Sequence, residues 1–233
     1  MKIITFAKNI NDFIHSQEME DTYRHKGMRL KLAEQVSAKG IQDKAVLDAL
    51  KTVPRHIFMD SSFVEHAYED KAFPIGSSQT ISQPYTVAFQ TELLQIKKGD
   101  KVLEVGTGSG YQACILAEMG AKVFSIERHR KLYLKAKETL KDFHYRIKLF
   151  YGDGYQGIPA FAPYDKVIIT AAAPEIPDAI LTQMKPGGIL VIPLGVEGSQ
   201  IMKTVTKNED DSLTTNEHGL FRFVPMLKDK SND

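Results

Sequence analysis

One segment constrains this chain more than any other. Residues 101–105 form an apolar run, Gly106-Thr107-Gly108-Ser109-Gly110 follows at once, and a helical pattern opens at Tyr111. A strand that passes into a helix through glycines does so where the backbone needs positive φ and where a ligand comes close to the main chain. That places the loop at the carboxyl edge of a parallel sheet. A dinucleotide site uses Gly-x-Gly-x-x-Gly, so that a pyrophosphate meets the helix N-terminus. Here the spacing is Gly-x-Gly-x-Gly, and Tyr111 stands at the third glycine of the dinucleotide pattern. Glu104, ahead of the first glycine, repels a pyrophosphate and attracts a cationic amine. A nucleoside with a zwitterionic amino-acid tail, S-adenosylmethionine, fits this loop better than a dinucleotide.

Around the loop the pattern alternates. Strands are predicted over 101–105, 122–126, 146–151, 164–170 and 188–194, with helices over 111–119, 131–140 and 176–184 and a turn at 185–187. Such alternation implies an α/β fold with a doubly wound, mostly parallel sheet covered on both faces. Residues 200–207, a turn at 208–212 and residues 219–227 suggest a C-terminal antiparallel hairpin. Before the sheet, Met28, Leu32 and Val36 recur at helical spacing up to Gly40. Asp43 is placed to cap a second helix, striped by Val46, Leu47, Leu50 and Val53 and stopped at Pro54. Residues 73–83 lack a period and read as a loop. Ser82 can cap a helix that starts at Pro84 and runs to about residue 96. The organisation expected is an arm at 1–24, a helical subdomain with its loop at 25–98, an α/β domain at 99–228 forming one unit with it, and a polar tail at 229–233.

Composition removes several function classes. Thirty Lys and Arg stand against 29 Asp and Glu, a net charge of +1, which argues against a broad footprint for nucleic acid or an anionic membrane. Cys114 is the only cysteine, so no intrachain disulfide exists and a reducing compartment is implied. No apolar run approaches the roughly 18 residues of a membrane span, and the first residues build no signal-peptide core. The expectation is a cytoplasmic protein, monomeric by default. The seven histidines show no metal-ligand spacing, so no metal site is expected. Cys114 reads as a small buried apolar group, and the basic run from Arg128 to Lys137 as a solvated helix face.

Two further acids complete a nucleoside site. Glu127 ends the second strand of the alternation, where a carboxylate can accept both ribose hydroxyls. Asp153, in Gly152-Asp153-Gly154, follows the third and can accept from the exocyclic amine of adenine. With Glu104, three acids stand at three successive strand ends.

At this point the chain resembles the seven-strand, Rossmann-like S-adenosylmethionine-dependent methyltransferases. It resembles the protein-L-isoaspartate O-methyltransferases most specifically, through Pro74-Ile75-Gly76-Ser77-Ser78-Gln79-Thr80-Ile81-Ser82-Gln83-Pro84-Tyr85. The glycine loop, Gly152-Asp153-Gly154, Ala171-Ala172-Ala173-Pro174, Lys185-Pro186-Gly187-Gly188 and Phe223-Val224-Pro225-Met226 belong to the same resemblance, which covers about residues 30–228. It implies methylation of the α-carboxylate of L-isoaspartyl residues, formed when asparagine or aspartate cyclises and reopens the wrong way. The methyl ester recyclises easily and gives the backbone another chance to return to normal aspartate. The implied cofactor is S-adenosyl-L-methionine, leaving as S-adenosyl-L-homocysteine. The implied partners are isoaspartyl-containing proteins and peptides. Ser82 falls on the family's active-site serine. Cofactor contacts fall on Gln79, Thr80, Ile81, Ser82, Ser109, Glu127, Arg128, Asp153 and Gly154, beside the loop residues Glu104, Gly106, Thr107 and Gly108. The substrate cleft falls on Thr80, Ser82, Gln83, Pro84, Val224 and Pro225. Tyr85 and Val87 depart from relatives that carry histidine there.

The chemistry itself asks for few groups. A carboxylate with a pKa near 4 is already an anion at pH 7 and needs no general base. Alignment of oxygen, methyl and sulfur is the main task, and orientation of this kind can supply about 7–11 kcal/mol. Ser82 is therefore expected to orient the acceptor rather than attack it, since the motif provides no His or Lys to activate it. Two other readings remain open at this stage. A methyltransferase acting on RNA calls for a basic, aromatic surface, and one acting on adenine for Asn/Asp-Pro-Pro-aromatic where this chain has Thr170-Ala171-Ala172-Ala173-Pro174. A non-catalytic binding module would keep the cofactor and transfer nothing.

Overall fold

The computed structural model describes residues 20–196 and 198–232. The expected arm lies outside the described residues up to position 19. Helix α1 (Tyr23–Ala38) begins earlier than its apolar stripe, because Thr22 caps it and the buried Arg29 anchors it. Arg29 donates to both oxygens of Asp21 at 2.5 and 2.8 Å, a polar anchor that hydrophobic periodicity cannot register. Helix α2 (Lys44–Thr52) is capped by Asp43, which accepts from Ala45 N at 2.8 Å, and it ends before Pro54.

The segment expected to be a loop is instead a small antiparallel hairpin, β1 (Phe73–Gly76) and β2 (Gln79–Ile81). Its turn residues Ser77 and Ser78 both take positive φ, 48° and 55°. Two-residue hairpins demand that conformation and usually announce it with Asn-Gly, which this turn lacks. Helix α3 (Pro84–Leu94) follows with Pro84 in its first turn, but Ser82 does not cap it. Asp70 supplies the polar support, accepting from Tyr85 N at 2.7 Å and Gln83 Nε2 at 3.0 Å. Gln95, left-handed at φ 53°, ends the helix short of residue 96.

The main sheet contains β3 (Lys101–Val105), β4 (Lys122–Glu127), β5 (Ile147–Tyr151), β6 (Tyr164–Ile169), β7 (Met184–Leu194), β8 (Gln200–Lys207) and β9 (Leu213–Phe221) in the order β5-β4-β3-β6-β7-β8-β9. The first five strands in that order run parallel, and β8 and β9 pair antiparallel beyond β7. Helices α4 (Tyr111–Glu118), α5 (Arg130–Thr139) and α6 (Asp178–Leu181) make the connections. Residues 102–105 of β3 are all buried, as a strand covered on both faces must be.

Two boundaries move. Residues 185–187 lie within β7, which pairs Met184 with Tyr164 before a register shift, so the helix expected over 176–184 shrinks to α6. The last strand is β9, not 219–227. It is an edge strand exposed or half-exposed along its whole length, so no apolar pattern marks it. Residues 224–226 cross the carboxyl end of the sheet instead: Ala172 N donates to Val224 O at 2.8 Å and Met226 N to Ala172 O at 2.7 Å. The tail folds back too, with Ser231 N donating to Arg128 O at 2.8 Å. One apolar cluster joins Leu32, Leu50 and Ile81 to Tyr111, Cys114 and Ile115, so the helices before the sheet share a core with α4.

Candidate active site

The chain runs outward from β3 to β5 and then returns to β6 on the other side of β3. Ligands of open α/β sheets bind at such a reversal. A cavity opens there, at the carboxyl ends of β3, β4 and β6. Its floor is the glycine loop. Gly106, Gly108 and Gly110 all take positive φ, 98°, 54° and 90°. At Gly106 a Cβ would stand 2.5 Å from Thr170 Oγ1, which itself donates to Gly106 O at 2.7 Å. At Gly154 a Cβ would meet Val105 Cγ1 at 2.5 Å.

Glu127 lines this cavity and is 4% exposed. Its Oε2 accepts from Gly108 N and its Oε1 from His129 N, both at 2.8 Å, so the carboxylate is locked across the loop. Each oxygen retains room for a second donor, which suits two vicinal hydroxyls. Arg128 and His129 also line the cavity, Arg128 being held by carbonyls of the tail at Asp229 and Lys228. Apolar walls come from Ile81, Val87, Ile126 and Met226. A polar clamp for a ribose between apolar walls fits an adenosyl group.

The two other acids sit differently. Glu104 is fully buried beneath the loop and is not on the cavity wall. Its Oε2 accepts from Ser125 Oγ, which is bonded in turn to Thr107 Oγ1 at 2.5 Å, and Thr107 reaches the cavity. Burial pushes the Glu104 carboxyl up to about 8. Asp153 caps a short turn through Tyr155 N at 2.9 Å, and its neighbour Gly154, rather than the carboxylate, lines the cavity.

Gln79, Thr80, Ile81 and Ser82 form the wall opposite the loop, with Thr107, Gly108 and Ser109 facing them. A second, open cavity shares Thr80, Ser82, Thr170 and Val224 with the first. Gln83 lines it, Pro225 lines the first, and Pro84 is on neither wall. The Ser82 hydroxyl stands where the two cavities meet and makes no hydrogen bond among the described residues. Sequence reasoning missed Val105, Tyr111, Gln112, Ile126, His129, Thr170, Ala171 and Leu227 on the first wall, whereas Met226 belongs to the 223–226 segment expected to bound the substrate cleft. The signal for His129 was its place beside Glu127 at a strand end, whereas Leu227 arrives through the chain crossing described above. Sequence spacing also missed a cluster away from the cavities: donor atoms of Asp21, His25 and His56 lie within 4.8 Å of one another, although Arg29 already engages the carboxylate.

Residues 28–231 match the family profile described as protein-L-isoaspartate(D-aspartate) O-methyltransferase. The chain belongs to that family. It is 59% identical over 214 residues to the protein-L-isoaspartate O-methyltransferase of Christiangramia forsetii, covering 91% of this chain and 100% of the relative. A protein of the same name from Cytophaga hutchinsonii is 54% identical, over 90% of this chain and 95% of its own. A solved protein-L-isoaspartate O-methyltransferase superimposes with a TM-score of 0.77 at 30% identity, over 84% of this chain and 65% of that one. A Plasmodium falciparum structure in complex with S-adenosyl-L-homocysteine gives 0.76 over 88% of this chain and 99% of its own, and at 24% identity speaks to the fold alone. No helix among the described residues is long and apolar enough to cross a membrane.

Proposed function

We propose the following division of labour for the reaction of this family, methyl transfer from S-adenosyl-L-methionine to the α-carboxylate of L-isoaspartyl residues, the first step in their repair. S-adenosylmethionine supplies an electrophilic methyl on a sulfonium. The glycines of the loop let it approach the backbone, Glu127 takes the ribose hydroxyls, and residues 79–82 wall it in. Glu104 serves the amine end indirectly, through Ser125 and Thr107. Asp153 serves the adenine end indirectly, by capping the turn that sets Gly154 on the cavity wall.

Ser82 acts on the acceptor. Its hydroxyl donates to one carboxylate oxygen and turns the other toward the methyl. The single observation that carries this role is the unpartnered hydroxyl at the junction of the two cavities. No side chain has to move a proton, because the acceptor is already ionised. The second cavity receives the peptide on either side of the isoaspartate, with Thr80, Gln83 and Val224 along its path. Substrates are flexible or unfolded segments of damaged proteins, since an extended chain must enter. We place the enzyme in the cytoplasm as a monomer: its one thiol is buried at Cys114, and its exposed large apolar side chains, such as Tyr23, Leu134 and Leu213, are dispersed along the chain.

The test is methyl transfer from labelled S-adenosylmethionine to matched peptides carrying L-isoaspartate or L-aspartate. Base-labile label on the isoaspartyl peptide alone is the expected result. Label on neither peptide, with S-adenosylmethionine still bound, refutes it.

A further inference from the structure

The second cavity has a wall of unusual charge. Tyr85, Phe89 and Phe221 give it an aromatic side, and among the described residues lining it only Arg222 and His218 can carry a positive charge, with no Asp or Glu beside them. His218 is engaged, its Nε2 2.9 Å from Thr204 Oγ1. Arg222 is exposed and makes no hydrogen bond or ion pair among the described residues. No carboxylate on that wall neutralises it.

Position gives this guanidinium a meaning. Val224 lines both cavities, and Arg222 lies two residues before it, so their Cα atoms are at most about 7 Å apart. An extended peptide covers the same distance in two residues. Resting on the functional reading above, we propose that Arg222 determines sequence preference: the enzyme favours isoaspartyl sites with a carboxylate side chain one or two residues from the isoaspartate. The occupant is a flanking Asp or Glu of the substrate peptide. The partner charge is chosen by complementarity, because a lone cation in a cleft open to solvent attracts an anion and rejects a second cation. The effect falls on encounter and KM, because Arg222 reaches the flank of the peptide rather than the reacting atoms.

The experiment uses isoaspartyl hexapeptides with Glu, Gln or Lys at the first or second residue on either side, and reads kcat/KM with the full chain. The wild type is expected to prefer Glu over Lys by about fivefold at one or more of these positions at low ionic strength. The preference should shrink in about 0.5 M salt, where exposed pairs are screened. Arg222→Ala brings the Glu/Lys ratio to about one, and Arg222→Glu inverts it. Lys122→Glu makes the same charge change at the opposite end of the sheet, on an exposed residue outside both cavities, and should leave the wild-type ratio. A wild-type ratio near one at every position overturns the proposal, as does an undiminished ratio in Arg222→Ala. Failure to methylate even the Gln peptides overturns the underlying functional reading, and the proposal with it.

Discussion

Glu104 offers the sharpest physical test of this site. Its carboxyl is buried without exposure and pushed up to about 8 from an ordinary 4.5 by loss of water. Between these two values the native protein keeps a proton that the unfolded chain has released. The unfolded state then binds fewer protons, so stability falls as pH rises through that window, by about 1.4 kcal/mol per pH unit. From pH 5 to pH 8 the loss amounts to about 3–4 kcal/mol. Glu104→Gln removes the titration and keeps an oxygen for Ser125 Oγ. The amide adds a fixed cost of about 1–3 kcal/mol if its NH2 finds no partner, and that cost does not vary with pH. The slope, not the absolute stability, is therefore the readout. His56 contributes the opposite slope: burial holds its imidazole down to about 4, so its contribution rises with pH between about 4 and 6.5. It is common to both proteins and cancels in the difference. Urea unfolding of the two proteins at pH 5, 6, 7 and 8 is the assay. The difference should grow by about 3 kcal/mol in favour of the Gln variant as pH rises. Parallel curves would refute the buried, protonated state. Because Glu104 reaches the cavity only through Ser125 and Thr107, the same variant should change S-adenosylmethionine affinity by less than about tenfold.

Substitutions at three other positions follow from the geometry. Ser82→Ala should lower kcat by about ten- to a hundredfold, the loss of one hydrogen bond to a charged acceptor, while the Kd for S-adenosylmethionine changes by less than about threefold. Equilibrium binding beside steady-state kinetics separates the two, and an unchanged kcat removes Ser82 from the mechanism. Gly106→Ala forces a side chain into φ +98° and within 2.5 Å of Thr170 Oγ1, so it should cost about 2 kcal/mol or more in urea unfolding and abolish cofactor binding. A loss under about 0.5 kcal/mol would show that the loop does not need that conformation. Asp21→Ala leaves the Arg29 guanidinium, whose side chain is 4% exposed, without its counter-ion, and should destabilise by about 3 kcal/mol, with Asp21→Asn recovering part of it. Calorimetric unfolding at pH 7 measures both.

The parts of this molecule that sequence could display are those where one local rule acts alone. Strand β3 is buried on both faces and reads as an apolar run. Asp43 caps α2 with its own carboxylate, and the glycines of the loop stand where positive φ is required. Glu127 was legible because a strand end fixes where its side chain goes. What stayed hidden depends on distant partners. The Ser77-Ser78 turn takes a left-handed conformation without the residues that favour it, held by the β1–β2 pairing around it. Asp70, fourteen positions ahead of Pro84 in the sequence, does the work at the start of α3 that Ser82 seemed placed to do. That substitution matters for the chemistry. A serine that capped the helix would be held by a backbone N–H on its hydroxyl oxygen, with only its proton left to give. Asp70 takes that donor instead, and Ser82 stands at the meeting point of the two cavities with its proton and its lone pairs both uncommitted among the described residues.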